Sequence, residues 1–230
     1  MATLYQSQPY LREGNGTVAA AFEEDGKFYV ALQGSIFYPQ GGGQKGDRGI
    51  LRIGETAHVV VDTVKDELST DGRPLCVLDA AAPDLAQGRQ VDMTLDWSHR
   101  FKQMRLHSIV HLHHCLLEQV AGHAIPVPTT SDLNTDGTAF NRYDTPLVSE
   151  ELATQAFEEM RALVQRGAAV RTRDDPEKEG FRYWECLGFT IPCGGTHLKE
   201  IAEVGEFAMT FSQKKGKPKV SFLLNQGDLS

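Results

Sequence analysis

The chain has 230 residues, room for one large domain or two modest ones. Its 40% apolar and 23% charged residues describe an ordinary globular protein and exclude disorder, collagen and membrane spans. Its 23 basic and 31 acidic residues sum to −8, which argues mildly against a nucleic-acid partner without excluding one. The longest apolar stretches, Val18–Phe22 and Phe28–Leu32, fall far short of the roughly 20 residues of a membrane helix. The opening MATLYQSQPY has neither a basic patch nor an apolar core, so no secretory signal is expected. Four scattered cysteines (Cys76, Cys115, Cys186 and Cys193) suit a reducing compartment, the cytoplasm, with thiols free for metal work.

From Gly16 to Leu78 short β-type runs alternate with glycine turns: Thr17–Phe22, Lys27–Leu32, Gly49–Ile53, Ala57–Val64 and Leu75–Leu78. Breaks such as Glu23-Glu24-Asp25-Gly26 give this region the pattern of a small antiparallel barrel or sandwich. Residues 80–88 read as a connector, and Val91–Leu95 alternates once more. A long helix follows, with Ser98 as expected N-cap and Gly122 as stop. A second helix is predicted from Ser149, a capping residue, to Arg166, with Glu150 and Glu151 suiting its first turn. Further strands are expected at Thr138–Tyr143, Val170–Arg173, Phe181–Cys186, Glu206–Ser212 and Val220–Leu224. Strands and helices mix without βαβ alternation, so the second half reads as α+β. The expected division is residues 1–90 and 91–230.

On a helical wheel at about 100° per residue, Leu106, Ile109, Val110, Leu116, Leu117 and Val120 form an apolar stripe. His107, His111, His114 and Glu118 gather on a separate arc, roughly 130° away. His114 and Glu118 would either orient metal ligands or face solvent. His113 points into the stripe and reads as a hydrogen-bonded core histidine. His107 and His111 stand one turn apart, so two imidazoles can reach one metal ion. A zinc protease would need Glu directly after the first histidine, and Ser108 stands there instead.

About eighty residues on, Cys193-Gly194-Gly195-Thr196-His197 offers a thiolate and an imidazole on a tight turn. Together the pairs make a split Cys/His site of the kind zinc prefers. Separately, Cys193 would be a buried thiol and His197 a surface residue. Cys115 and Cys186 read as packing thiols, and Cys76 as a strand residue.

Local basic clusters occur at His99–Arg105, including Arg100, Lys102 and Arg105, and at Lys214–Lys219. On one face they would attract phosphates; otherwise they are solvated surface charge. Gly41-Gly42-Gly43-Gln44-Lys45-Gly46 fits the dinucleotide pattern GxGxxG, but the strand-like Ile50-Leu51-Arg52-Ile53 follows where a helix should open. Asp47 also stands where a P-loop needs lysine. A wide glycine turn in a barrel is the better local description.

His107-Ser108-Ile109-Val110-His111 with the distant Cys193-Gly194-Gly195-Thr196-His197 resembles the editing domain of alanyl-tRNA synthetase and its free-standing AlaX relatives. The segment Phe37–Gly49 is similar to the glycine-rich motif of the longer AlaX proteins. The resemblance spans nearly the whole chain in the order barrel, HxxxH helix, CxxxH turn, and it implies the free-standing form. It implies hydrolysis in trans of mischarged tRNA(Ala), chiefly seryl and next glycyl, with Zn2+ held by His107, His111, Cys193 and His197. It also implies tRNA recognition, or packing on the editing core, by the loop that holds Gly41, Gly42, Gly43 and Gln44. Discrimination of the amino-acid side chain is implied near Thr129 or Thr130. The family's Thr-Ala after the first histidine is replaced here by Ser108-Ile109. Its Thr-Gly-Ser-like stretch after the helix is replaced by Pro128-Thr129-Thr130-Ser131. The competing expectation is a zinc-stabilised RNA-binding or protein-interaction module without catalysis.

Overall fold

A computed structural model describes residues 3–67 and 72–225. The chain divides into two compact units: Met1–Gly41 with Lys45–Arg100, and Gly42–Gln44 with Phe101–Ser230.

The first unit opens with a short helix, α1 (Leu4–Ser7), and contains a closed six-stranded barrel. Its strands are β1 (Glu13–Glu24), β2 (Lys27–Gln33), β3 (Gly49–Ile53), β4 (Thr56–Lys65), β5 (Pro74–Leu78) and β6 (Gln90–Leu95). Their order around the barrel is β1-β2-β5-β4-β3-β6, and every pair is antiparallel. Asp25 and Gly26, at φ 51° and 71°, close the first hairpin with the two positive-φ residues that suit the strand twist. A bulge between Val18 and Ala20 bends β1, and β1 pairs with both β2 and β6. Val18, Val30, Leu51, Val60, Cys76 and Met93 belong to the buried core.

The expected boundary at residue 90 moves. β6 pairs with β1 and β3 and closes the barrel, so residues 91–95 are barrel residues. The helix after it, α2 (Trp97–Ala121), starts one residue before the expected cap. Asp96 performs the capping: its side chain accepts from His99 N at 3.0 Å, and its carbonyl accepts from Arg100 N at 3.0 Å.

Arg100 belongs to the barrel unit and is completely buried. Its Nε donates to both carboxylate oxygens of Asp47, at 2.9 and 3.0 Å, and a terminal nitrogen also pairs with Asp47. The remaining donors reach Ile36 O and Pro9 O, each at 2.8 Å. Asp47 also accepts from Tyr38 N. A buried ion pair is tolerable only when hydrogen bonds satisfy it, and this one is satisfied on both sides.

The second unit holds the rest of α2, a second long helix α3 (Glu150–Arg166) and two sheets. Ser149 caps α3 as expected, its hydroxyl accepting from Leu152 N. The four-stranded sheet runs in the order β12-β13-β8-β7, with β7 (Thr130–Leu133), β8 (Thr138–Arg142), β12 (Phe207–Lys214) and β13 (Lys217–Leu224). The three-stranded sheet comprises β9 (Val170–Asp174), β10 (Arg182–Cys186) and β11 (Phe189–Pro192), with β10 central. The whole is α+β.

From Phe101 to Glu118 no residue of α2 is exposed. Protein surrounds the helix, so its polar side chains need partners within the fold. His113 meets that need as expected: its Nε2 donates to Ala153 O at 3.2 Å, and its ring packs edge-on against Phe222. Asn141 of β8 donates to Val110 O at 3.0 Å and accepts from Ser131 of β7 at 2.6 Å. Among the described residues no helix is long and apolar enough to cross a membrane.

Candidate metal centre

α2 presents His107 and His111 one turn apart, with ring centroids 4.6 Å from each other. The other pair comes from the chain leaving β11. Cys193 N donates to Arg182 O at 2.8 Å, which extends the β10–β11 pairing by one residue before the turn. Gly195 follows, where a Cβ would overlap the ring of His107, so only glycine lets this turn approach the helix. His197 then brings its ring to 4.3 Å from His107 and 5.2 Å from His111.

One donor atom from each of His107, His111, Cys193 and His197 lies within 4.8 Å of the others. Cys193 Sγ is 3.4 Å from His107 Nε2 and 3.2 Å from His197 Nε2. His111 Nε2 is buried with no hydrogen-bond partner. Trp184 of β10, fully buried, covers the rings of His111 and His197 at 5.5 and 6.2 Å. A buried imidazole nitrogen without a proton partner, within reach of a thiol and two further imidazoles, is a donor set that fits a divalent metal.

The protonation states agree with that fit. Burial lowers His107 to about 4 and holds His111 and His197 well below 6.5, with the neighbouring imidazoles adding to the effect on the latter two. All three are therefore neutral near pH 7, the form that binds metal. Burial pushes the Cys193 thiol up to about 11, opposed by the Gly195 N–H and the Arg182 guanidinium. A metal must displace that proton.

Gln44 was not expected in this cluster. Gly43, at φ 86°, lies against β7 where a Cβ would come within 2.5 Å of Ser131 O, and its carbonyl accepts from Leu133 N at 3.1 Å. That seating carries Gln44 into the centre of the unit, where it has no exposed surface. Gln44 Oε1 faces His107 Nδ1 at 3.1 Å and accepts from Thr196 N at 3.0 Å, while Gln44 Nε2 donates to Thr196 Oγ1 at 2.8 Å. The Thr196 N–H can only donate, so it fixes the oxygen of the amide on its own side. His107 must then carry its proton on Nδ1, leaving the Nε2 lone pair turned toward Cys193.

The other expected site residues fall elsewhere. Arg100 and Arg105 are buried, Arg105 donating to Val204 O at 2.7 Å, so neither offers its charge to RNA phosphates, contrary to the expectation. Gln44 is likewise enclosed, within the second unit. Gly42 is exposed, and Gly41 and Gly43 are half-buried. Lys102 is half-buried and donates to Thr135 O. Thr129 and Thr130 are exposed at the start of β7, and Thr129 donates to Arg142 O through both its amide, at 2.8 Å, and its hydroxyl, at 3.2 Å. His114 lies against Tyr143, and Glu118 accepts from Ile125 N, so both are bound to protein groups other than the four donors. Cys76, Cys115 and Cys186 are buried free thiols.

A β-barrel unit followed by an α+β unit with one cysteine and three histidines in convergence defines a protein with a candidate metal centre. No family model matches the chain. It is 31% identical over 205 residues to the alanyl-tRNA editing protein AlaX-M of Pyrococcus horikoshii, covering 88% of this chain and 87% of that one. It is also 31% identical to AlaX-M of Methanosarcina acetivorans, over 93% of this chain and 94% of the relative. A third relative, the alanine–tRNA ligase of Paracidovorax citrulli, is 29% identical over 84% of this chain but only 22% of the ligase. The chain belongs to the AlaX family of alanyl-tRNA editing proteins.

Proposed function

We propose that this protein hydrolyses mischarged tRNA(Ala) in trans, with the seryl ester as principal substrate and the glycyl ester second, and that Zn2+ is its metal. One observation carries the reading: the convergence of His107, His111, Cys193 and His197 in a chain of the AlaX family. The reaction breaks the ester between the serine carboxyl and the terminal ribose; water gives its hydroxyl to the acyl carbon and a proton to the ribose oxygen. A zinc ion supplies a Lewis acid that polarises an ester carbonyl or acidifies water. The three imidazoles and the thiolate would hold it, Gln44 would fix the His107 ring, and Trp184 would shield two of the rings from water.

Size cannot make a pocket reject alanine in favour of serine, since serine is larger by one oxygen. A group that requires a partner for the serine hydroxyl can do so, because alanine leaves it unpaired. Thr129, exposed in the free protein, would take this role once bound substrate excludes water from it. Its hydroxyl donates to Arg142 O, which leaves the hydroxyl oxygen free to accept from the substrate. Thr129→Val is expected to lower kcat/KM for the seryl ester about tenfold with metal content unchanged. Unaltered discrimination between seryl- and alanyl-tRNA would remove Thr129 from the pocket and leave Thr130 to be tested in the same way.

The test of the whole reading is a deacylation panel of seryl-, glycyl- and alanyl-tRNA(Ala) and a free amino-acid ester, with and without a chelator. The expected result is hydrolysis of the seryl and glycyl esters, sparing of the alanyl ester, loss on chelation and recovery with zinc. A protein that binds one zinc, hydrolyses nothing and unfolds on chelation would be the non-catalytic module instead. Gln44 offers a finer check. Gln44→Leu removes the acceptor for His107 Nδ1 and should weaken metal binding about 10- to 100-fold in a chelator competition. Gln44→Glu keeps an acceptor for both donors and should retain most of the affinity.

A further inference from the structure

The outward face of the four-stranded sheet carries charge of the opposite sign to the chain as a whole. In β13 the residues alternate, with Pro218, Val220, Phe222 and Leu224 buried and Lys217, Lys219, Ser221 and Leu223 turned outward. The register sets Ser212 opposite Lys219, Lys219 opposite Arg142, and Arg142 opposite Thr130, one row across all four strands. Arg142, Lys214, Lys215, Lys217 and Lys219 line one concavity with Ser212. Lys217 pairs with Asp144 at 3.1 Å. Among the described residues no carboxylate pairs with the other four. A second concavity on this face adjoins at Lys219 and includes Phe140, whose half-buried ring lies 4.1 Å from Lys219 Nζ and 5.7 Å from Arg142 Cζ.

We propose that this basic row binds the phosphodiester backbone of the tRNA. The inference rests on the deacylase reading and deepens it by naming where the polynucleotide lies. Four cations stand on paired strands and Lys215 in the turn that joins two of them, and among the described residues only Lys217 of these is paired to a carboxylate. In a chain of net charge −8 they make a local attractor for a polyanion, while the acidic remainder repels it elsewhere. Lys217 and Lys219, two residues apart on one strand, are roughly 7 Å apart by strand geometry, a separation suited to successive phosphates. Phe140 adds an aromatic face beside the cations, the combination that single-stranded nucleic acid uses. The row ends at Thr130, next to Thr129, so a backbone held there leads toward the residues proposed to read the amino acid.

The test uses the zinc-loaded full chain with Lys214→Gln, Lys215→Gln and Lys219→Gln combined, and uncharged tRNA(Ala) as the probe. The expected result is an affinity at least about tenfold weaker at low salt, and a slope of log affinity on log salt shallower by about 2 to 3. KM for seryl-tRNA should rise by the same factor with kcat unchanged, and hydrolysis of seryl-adenosine should be equal in both proteins. The corresponding triple Lys→Arg variant, which keeps the charge, should bind like the wild type; weak binding by it would overturn the proposal. If the wild type hydrolyses both seryl esters and the Gln variant keeps its tRNA affinity and salt slope, this surface is wrong while the deacylase reading stands. Loss of binding to phosphatidylserine vesicles with tRNA affinity intact would overturn the proposal in favour of a membrane face. A wild type that hydrolyses neither ester fails the deacylase reading itself.

Discussion

Cys193→Ala is expected to weaken metal binding about a hundredfold and to lower turnover with it. Structural zinc sites bind with about 10–16 kcal/mol over four ligands, so one ligand accounts for about 3 kcal/mol, or roughly two orders of magnitude in affinity. The observable is the thiolate-to-metal charge-transfer band of the Co2+-substituted protein, which the variant must lack. The pH dependence has a definite sign. Burial has already made His107, His111 and His197 neutral, so they add no slope near pH 7. The Cys193 thiol, pushed up to about 11, holds its proton until the metal displaces it. Affinity should therefore rise about tenfold per pH unit through this range, with about one proton released per ion. Metal affinity unchanged by Cys193→Ala, or an affinity flat in pH, would remove the thiolate from the centre.

Arg100→Met should be the most destabilising single change in the barrel unit. It leaves the Asp47 carboxylate buried without its cation, and breaking a buried pair this way costs about 3–5 kcal/mol. In a chain of this length the melting temperature should fall by about 10 °C or more. The cost comes from the carboxylate left behind, so adding Asp47→Leu should recover much of it despite removing a second native group. Calorimetry on the wild type, both single variants and the double variant measures the coupling. Additive losses in the double variant would show that the two side chains do not depend on each other.

The parts of this architecture with a local cause were legible in the sequence. The Asp25-Gly26 turn, the short β-type runs of β3 and β5, and the cap of α3 at Ser149 each depend on neighbours a few residues away. The four convergent side chains of the candidate centre were legible because helical spacing and a glycine turn each announce half of the cluster. β7 and β11 were missed because each has four residues, and neither Thr130–Leu133 nor Phe189–Pro192 carries a run of apolar residues long enough to announce a strand. Gln44 gave no signal, since its partners His107 and Thr196 lie 63 and 152 residues away. Arg100 and Arg105 looked like surface charge because a cation's burial depends on acceptors that the local sequence does not reveal. The wheel failed for His114 and Glu118 for a related reason: it assumes a wet side, and the middle of α2 has none.

That absence of a wet side limits how this helix can change over time. An ordinary surface helix accepts substitutions along its solvent stripe and shields its sequence signature from drift in the core. Between Phe101 and Val120 only Gln119 is exposed, and from Gln103 to Leu117 every residue but the half-buried His111 is buried, so most replacements must satisfy a fixed volume and, at the polar positions, a fixed partner. Sliding the histidine pair by a single position would swing both rings by about 100° into packed side chains. The spacing of this segment is therefore locked from all directions, and variation among related chains should be pushed outward to the barrel loops and the strand ends.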